Sequence, residues 1–262
     1  MGNNRRTFLK AAGISALGIG TAPVFNLFAS SKPAATKLTP EFSQKKSALP
    51  AKHWGMVIDT RKFKSKEDLE PVIEVCNSIH NIPHHEEKNH EIKWIWEEEY
   101  EHAFTDAENK YINEKAKHLP FLVLCNHCEN PPCVRACPTK ATFKREDGIV
   151  LMDFHRCIGC RFCMAACPYG SRSFNFRDPR PAIEHQNPNF PTRMKGVVEK
   201  CNFCAERLAV GKLPACVEAS KGAIAFGDLD DPNSTVRKLL EANYSVRRKP
   251  SLGTEPSVYY II

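Results

Sequence analysis

Twelve cysteines in 262 residues, eleven of them crowded between positions 125 and 216, constrain this chain more than any other feature. They fall in runs. One reads Cys125-x2-Cys128-x4-Cys133-x3-Cys137-Pro138, and the next Cys157-x2-Cys160-x2-Cys163-x3-Cys167-Pro168. A third group is Cys201-x2-Cys204-x11-Cys216, with Ser220 where a fourth cysteine would stand at x3 spacing. Cys76 is isolated. The second run has the spacing of bacterial ferredoxins, in which three cysteines wrap one iron–sulfur cluster and the fourth ligates another. The chemistry asks for this pattern. A tight loop presents three thiolates to three irons of a cube, and the last iron must be reached from the far side. Proline after the fourth cysteine stops the local helix and turns the chain away.

Two other readings use the same residues. Exported chains favour disulfides, but cysteines at successive x2 and x3 spacings would crowd six of them. Zinc ribbons use Cys-x2-Cys pairs, but four close cysteines in one run are not their spacing. A redox-silent zinc or disulfide scaffold is therefore the alternative of another class, and [4Fe–4S] clusters are the favoured reading. No Cys-x-x-Cys-His haem signature and no glycine-rich nucleotide fingerprint occurs.

The formal charge of +7 suggests a nucleic-acid partner until its sources are separated. Arg5, Arg6 and Lys10 belong to an N-terminal segment without acids. If three oxidised clusters each carry about −2 with their thiolates, the loaded remainder sits near −2. Arg247-Arg248-Lys249 is then expected to be a solvated or docking surface. Residues 1–31 pair Arg5-Arg6-Thr-Phe-Leu-Lys with an apolar, small-residue stretch ending Ala29-Ser30-Ser31. That is the form of a twin-arginine signal peptide, which exports folded proteins to the extracytoplasmic side. If it is uncleaved it could also anchor the chain. Clusters inserted before export fit this route.

Residues 32–52 read as a linker and 53–227 as the iron–sulfur domain. A strand is expected at Trp54–Asp59, a charged helical insertion at 84–118 and a hairpin across Ala141–Asp153 turning at Glu146-Asp147-Gly148. Residues 177–194 read as proline-punctuated loop. Ser234 is expected to cap a helix through Ala242, ahead of an extended tail from Pro250, within a C-terminal segment 228–262. His80, His84, His85, His90 and His102 read as a solvated polar face, and Trp94 and Trp96 as packing or partner contacts.

These motifs resemble the four-cluster ferredoxin-like subunits of membrane oxidoreductases, such as the electron-transfer subunits of dimethyl-sulfoxide reductase, polysulfide reductase and the periplasmic nitrite-reduction pathway. The resemblance covers residues 54 to about 227. His53-Trp-Gly-Met-Val-Ile-Asp59, Lys93-Trp-Ile-Trp96, the stretch Phe190 to Arg207 and the tail Leu252 to Tyr260 are most similar to the exported iron–sulfur branch linked to dissimilatory sulfite reduction. The resemblance implies an α+β fold of two tandem ferredoxin-like halves with chain extensions. Motifs pair second with third and first with fourth. It thus implies cluster A on Cys125, Cys128, Cys133 and Cys167, cluster B on Cys157, Cys160, Cys163 and Cys137, and cluster C on Cys201, Cys204, Cys216 and Cys76. A fourth site would need Phe63 or Lys66, Leu69, Val72 and Ser220. It has lost every ligand together. The implied role is electron transfer without a catalytic residue, between a quinone-interacting integral membrane subunit and a multihaem cytochrome c of the same complex. A molybdopterin or nitrite/polysulfide reductase is the alternative complex.

Overall fold

A computed structural model describes residues 47–106, 111, 117 and 119–262. The proposed signal peptide and most of the linker lie outside the described residues. So do positions 107–110, 112–116 and 118 of the charged insertion. No helix among the described residues is long and apolar enough to cross a membrane.

The chain runs β1 (Trp54–Asp59), α1 (Glu70–Ile79), β2 (Ile95–Glu98), α2 (Tyr100–Ala103), β3 (Phe121–Leu124), α3 (Pro132–Arg135), β4 (Thr142–Lys144), β5 (Val150–Met152) and α4 (Phe162–Ala165). It continues through β6 (Ser173–Phe174), β7 (Val198–Glu199), α5 (Ala205–Leu208), α6 (Ala215–Ala219), β8 (Ile224–Asp228), α7 (Thr235–Ala242), β9 (Ser245–Val246) and β10 (Val258–Ile261). Every residue of β1 is buried, because β1 is an inner strand of a sheet ordered β8-β1-β10-β9. It pairs antiparallel with β8 (Met56 opposite Phe226) and parallel with β10 (Met56 opposite Val258). A strand with neighbours on both edges and cover on both faces reads as a continuous apolar run, which is how Trp54–Ile58 stands in the sequence. One face is covered by α7. The Ser234 hydroxyl caps it by accepting from the Arg237 N–H (3.3 Å), and Val236 packs with Val57, Leu229 and Ile261.

The hairpin β4–β5 forms as expected, with Thr142 opposite Met152 and Gly148 at φ +84°, a conformation that favours glycine. Residues 177–194 are loop apart from one short turn at Arg180–Ala182.

Three expectations are corrected. Within 84–106 the helical content is the 3-10 turn Lys88–His90 and the single turn α2, while Ile95–Glu98 is a strand paired with β3. Charged helix-forming residues are overridden there by Trp94, Ile95 and Trp96, all buried in the main core. The tail, expected to be extended throughout, begins with a 3-10 turn at Pro250–Leu252; its end is extended as expected, and pairs inside the sheet as β10. Arg248 is buried rather than solvated, and Lys249 is half-buried and tied to the backbone. Arg248 Nε donates to the Ala103 carbonyl (2.7 Å), and Lys249 Nζ donates to the Pro168 carbonyl (2.8 Å).

Candidate iron–sulfur sites

The three Cys-x-x-Cys loops share one backbone device. The residue before the second cysteine is left-handed in each: His127 (φ 42°), Gly159 (φ 71°) and Phe203 (φ 55°). This bend lets a short loop turn both thiols to the same side.

The first loop leaves the end of β3, and Pro131-Pro132 starts α3, which carries Cys133. Cys125, Cys128 and Cys133 line one cavity, and Cys167, just after α4, closes it. In the same way Cys157, Cys160 and Cys163 line a second cavity that Cys137 closes. The fourth cysteine of each run therefore sits with the other run's three. Burial raises the Cys163 thiol, and the proximity of Cys133 adds to the rise, so the two sites adjoin.

The third group is assembled from the ends of the chain. Helix α1, bearing Cys76, packs closely on α6, bearing Cys216. Burial pushes the Cys76 thiol far up, and the neighbouring charges of Cys201, Cys204 and Cys216 push it further. Burial raises Cys201 and Cys204 strongly and Cys216 to about 12; it raises Cys128 of the first site to about 12 as well. Cys125 acts on Cys201, which puts the first and third sites side by side. The first site thus adjoins both the third and the second.

None of the twelve cysteines is paired in a disulfide. Four buried thiols whose ionised forms crowd one another fit a group that takes them as thiolates and spreads the charge. The cavity of the first site carries a second sign of fit. The Asn126 amide and the Arg172 Nη2, in residues lining it, are buried without a hydrogen-bond partner. Such orphaned donors are costly in a finished interior, and they suit a cluster whose sulfides accept hydrogen bonds. The positions of a fourth site have been absorbed into packing. Phe63, Leu69 and Val72 lie in the main core. Lys66 is exposed and paired with Glu97 at 2.8 Å. The Ser220 hydroxyl donates to the Val217 carbonyl (2.8 Å) and accepts from the Ile224 N–H (3.0 Å).

Several residues around the sites escaped sequence reasoning. His80, read there as part of a solvated face, is 1% exposed. It stacks on Trp94, contacts the Cys76 carbonyl at 3.0 Å and reaches Glu206 Oε1 at 2.9 Å, tying the Cys76 helix to the loop of Cys204. Its position four residues after Cys76, one helical turn on, was the available signal. His127 and Phe203, at matching loop positions of the first and third sites, stack with centroids 3.6 Å apart. Burial, then the charges of Lys200 and Arg172, hold His127 well below the usual histidine range, hence neutral. Trp94 donates to Glu199 (3.0 Å), which forms a buried pair with Arg193 at 2.7 Å.

Residues 117–180, which hold the first two sites, match the 4Fe-4S dicluster domain. Over 90% of its length the chain is 41% identical to the Hdr-like menaquinol oxidoreductase iron–sulfur subunit 1 of Archaeoglobus fulgidus, covering 96% of that protein. It is 34% identical to the iron–sulfur cluster-binding subunit of menaquinone reductase from Nitratidesulfovibrio vulgaris, over 79% of this chain and 88% of the relative. A Halobacterium salinarum protein named as an iron–sulfur subunit of dimethyl sulfoxide reductase is 49% identical over about half of each chain (52% and 53%). With two relatives matched over most of their length and a dicluster domain at the centre, the chain belongs to this family of [4Fe–4S] iron–sulfur subunits.

Proposed function

We propose that the chain is the electron-transfer subunit of a membrane-bound respiratory complex, carrying three [4Fe–4S] clusters in a row. Cluster A sits on Cys125, Cys128, Cys133 and Cys167, cluster B on Cys157, Cys160, Cys163 and Cys137, and cluster C on Cys201, Cys204, Cys216 and Cys76. The observation that carries the reading is the convergence of cysteines remote in sequence into three adjoining groups of four. Such clusters supply one-electron redox chemistry, and the chain sets their spacing, burial and hydrogen bonding.

Two ferredoxin-like halves account for the topology, the inner one interrupting the outer. The pairing of β1 with β8 and the packing of α1 on α6 support an outer half built from both ends of the domain. The row runs C, A, B. Cys160 is exposed and its neighbours Ile158 and Phe162 are 67% and 59% exposed, so cluster B would be the one exchanging electrons with a docked redox protein.

The names of the two full-length relatives support a menaquinol-linked complex. Within it we infer a DsrO-type role in sulfite or sulfur metabolism, between a quinone-interacting membrane subunit and a multihaem cytochrome c. The second reading, a subunit of a molybdopterin reductase, is favoured by the dimethyl sulfoxide reductase relative, which matches over half its length. Arg5-Arg6 supports export by the twin-arginine route and assembly on the extracytoplasmic face.

One purification addresses these points together. From solubilised membranes the native chain should bring down an integral membrane subunit and a haem-staining protein, and menaquinol should reduce its clusters. The variant with Arg5→Lys and Arg6→Lys should stay cluster-loaded in the cytoplasm, outside the assembly. A molybdopterin subunit in place of the haem protein would select the second reading. Export of the variant would rule out the twin-arginine route.

A further inference from the structure

Two cations lie deep in the iron–sulfur region, and neither pairs with a carboxylate among the described residues. Arg172 is 5% exposed. Its Nη1 donates to Thr142 Oγ1 (3.2 Å) and approaches Met152 Sδ (3.7 Å), while Nη2 has no partner. It lines the cavity of the first site and lies within electrostatic reach of Cys125 and Cys133 there and of Cys163 in the second. Lys200 is 2% exposed. Its Nζ donates to the Val150 carbonyl, in the wall of the first site, and to the Cys201 carbonyl of the third (2.6 Å). Glu199, the nearest acid in sequence, is no counter-ion for it, being engaged by Arg193, Trp94 and Asn175.

A buried cation without a counter-charge is strongly destabilising. The other two buried guanidinium groups among the described residues are compensated. Arg193 has Glu199, and Arg248 lies over the Tyr169 ring, 5.6 Å from its centroid, while donating to the Ala103 carbonyl. Among the described residues, Arg172 and Lys200 pair with no acid and lie over no aromatic ring. They stand at the boundary between the first and second sites and at the boundary between the first and third. The missing counter-charge at each boundary is supplied if both sites hold anionic clusters.

We propose that Arg172 and Lys200 are redox-tuning cations, one at each junction of the cluster row, Arg172 raising the reduction potentials of clusters A and B and Lys200 those of A and C. The proposal rests on the three-cluster reading. Reduction adds a negative charge to a cluster, so a fixed cation favours the reduced state and raises the potential. Because each cation faces two sites, cluster A receives both contributions and stands highest relative to its own ligand environment.

The test is a potentiometric titration followed by electron paramagnetic resonance, on the anaerobically purified full chain. Arg172→Gln should make clusters A and B harder to reduce, lowering the reduced-to-oxidised ratio at fixed potential at least tenfold, which is about 59 mV for one electron. Cluster C should not move. Lys200→Met should shift A and C and leave B. Arg172→Lys and Lys200→Arg, which keep the charge, should titrate close to the unaltered protein. A structural role alone would move no potential in this pairwise pattern. If a neutral variant loses a cluster while its charge-keeping counterpart holds it, the charge requirement stands; if both lose it, packing is the cause and the proposal is overturned. Unmoved potentials, or equal shifts in all three clusters, overturn it as well. Fewer than three signals in the unaltered protein contradict the three-cluster reading itself.

Discussion

Replacing Cys76 by alanine should remove the proposed cluster C or reduce it to a three-iron form, and leave A and B at full occupancy. Nothing near Cys76 in sequence explains this outcome; the fold does. Helix α1 carries Cys76 onto α6, about 125 residues away from Cys201 along the chain, and the thiols of Cys201, Cys204 and Cys216 all act on it. A free buried cysteine would behave as a small hydrophobe, and its truncation would cost about 1 kcal/mol. As the fourth ligand it also carries binding free energy that is folding free energy, so the loss should exceed about 2 kcal/mol by thermal unfolding. Ser220→Ala is the contrast. Its site is filled by Phe63, Leu69 and Val72, so no cluster should be lost. From the sequence that change looks nearly neutral, yet the fold gives it a structural cost. Without the hydroxyl the Ile224 N–H loses its buried acceptor, a penalty of about 1–3 kcal/mol. Iron analysis and electron paramagnetic resonance on both variants decide the matter; unchanged spectra for Cys76→Ala, or a lost cluster for Ser220→Ala, would overturn the ligand assignment.

Stripping iron from the whole chain should have the larger effect, and an uneven one. Helices α3, α4 and α5 have four residues each, and β6 and β7 two. Isolated elements of this length do not hold themselves together in water, and their buried thiols would be left with only each other. Chelation after oxidation should therefore abolish amide hydrogen-exchange protection across 125–167 and 201–216. The sheet β8-β1-β10-β9 has its own core with α7, through Val57, Leu229, Val236 and Ile261, and should keep part of its protection. A stripped chain that stays protected throughout would show that the polypeptide, not the clusters, holds the centre.

What could be read from the sequence was local. The strand Trp54–Asp59, the hairpin turning at Gly148 and the Ser234 cap each depend on neighbours within a few residues. The cysteine runs were legible because a cube of iron and sulfide fixes its ligand spacing. Residues 84–98 misled because Glu and Lys favour helix, while the two tryptophans that decide the outcome find their partners in β3 and at Glu199. His80, Arg172, Lys200 and Arg248 look like ordinary polar residues. Apart from the spacing of His80 from Cys76, only folding reveals that each is buried and what faces it, since burial of a charge depends on chain segments far away in sequence.

On this reading, twelve cysteines hold three complete clusters and the fourth site is abolished. Iron and acid-labile sulfide, counted per chain on anaerobically purified protein, test it most directly. Three full clusters should give about twelve of each, with a brown absorbance bleached by dithionite. Sixteen irons would mean that the site around Phe63, Leu69 and Val72 is filled after all, and zinc in place of iron would contradict the redox account altogether.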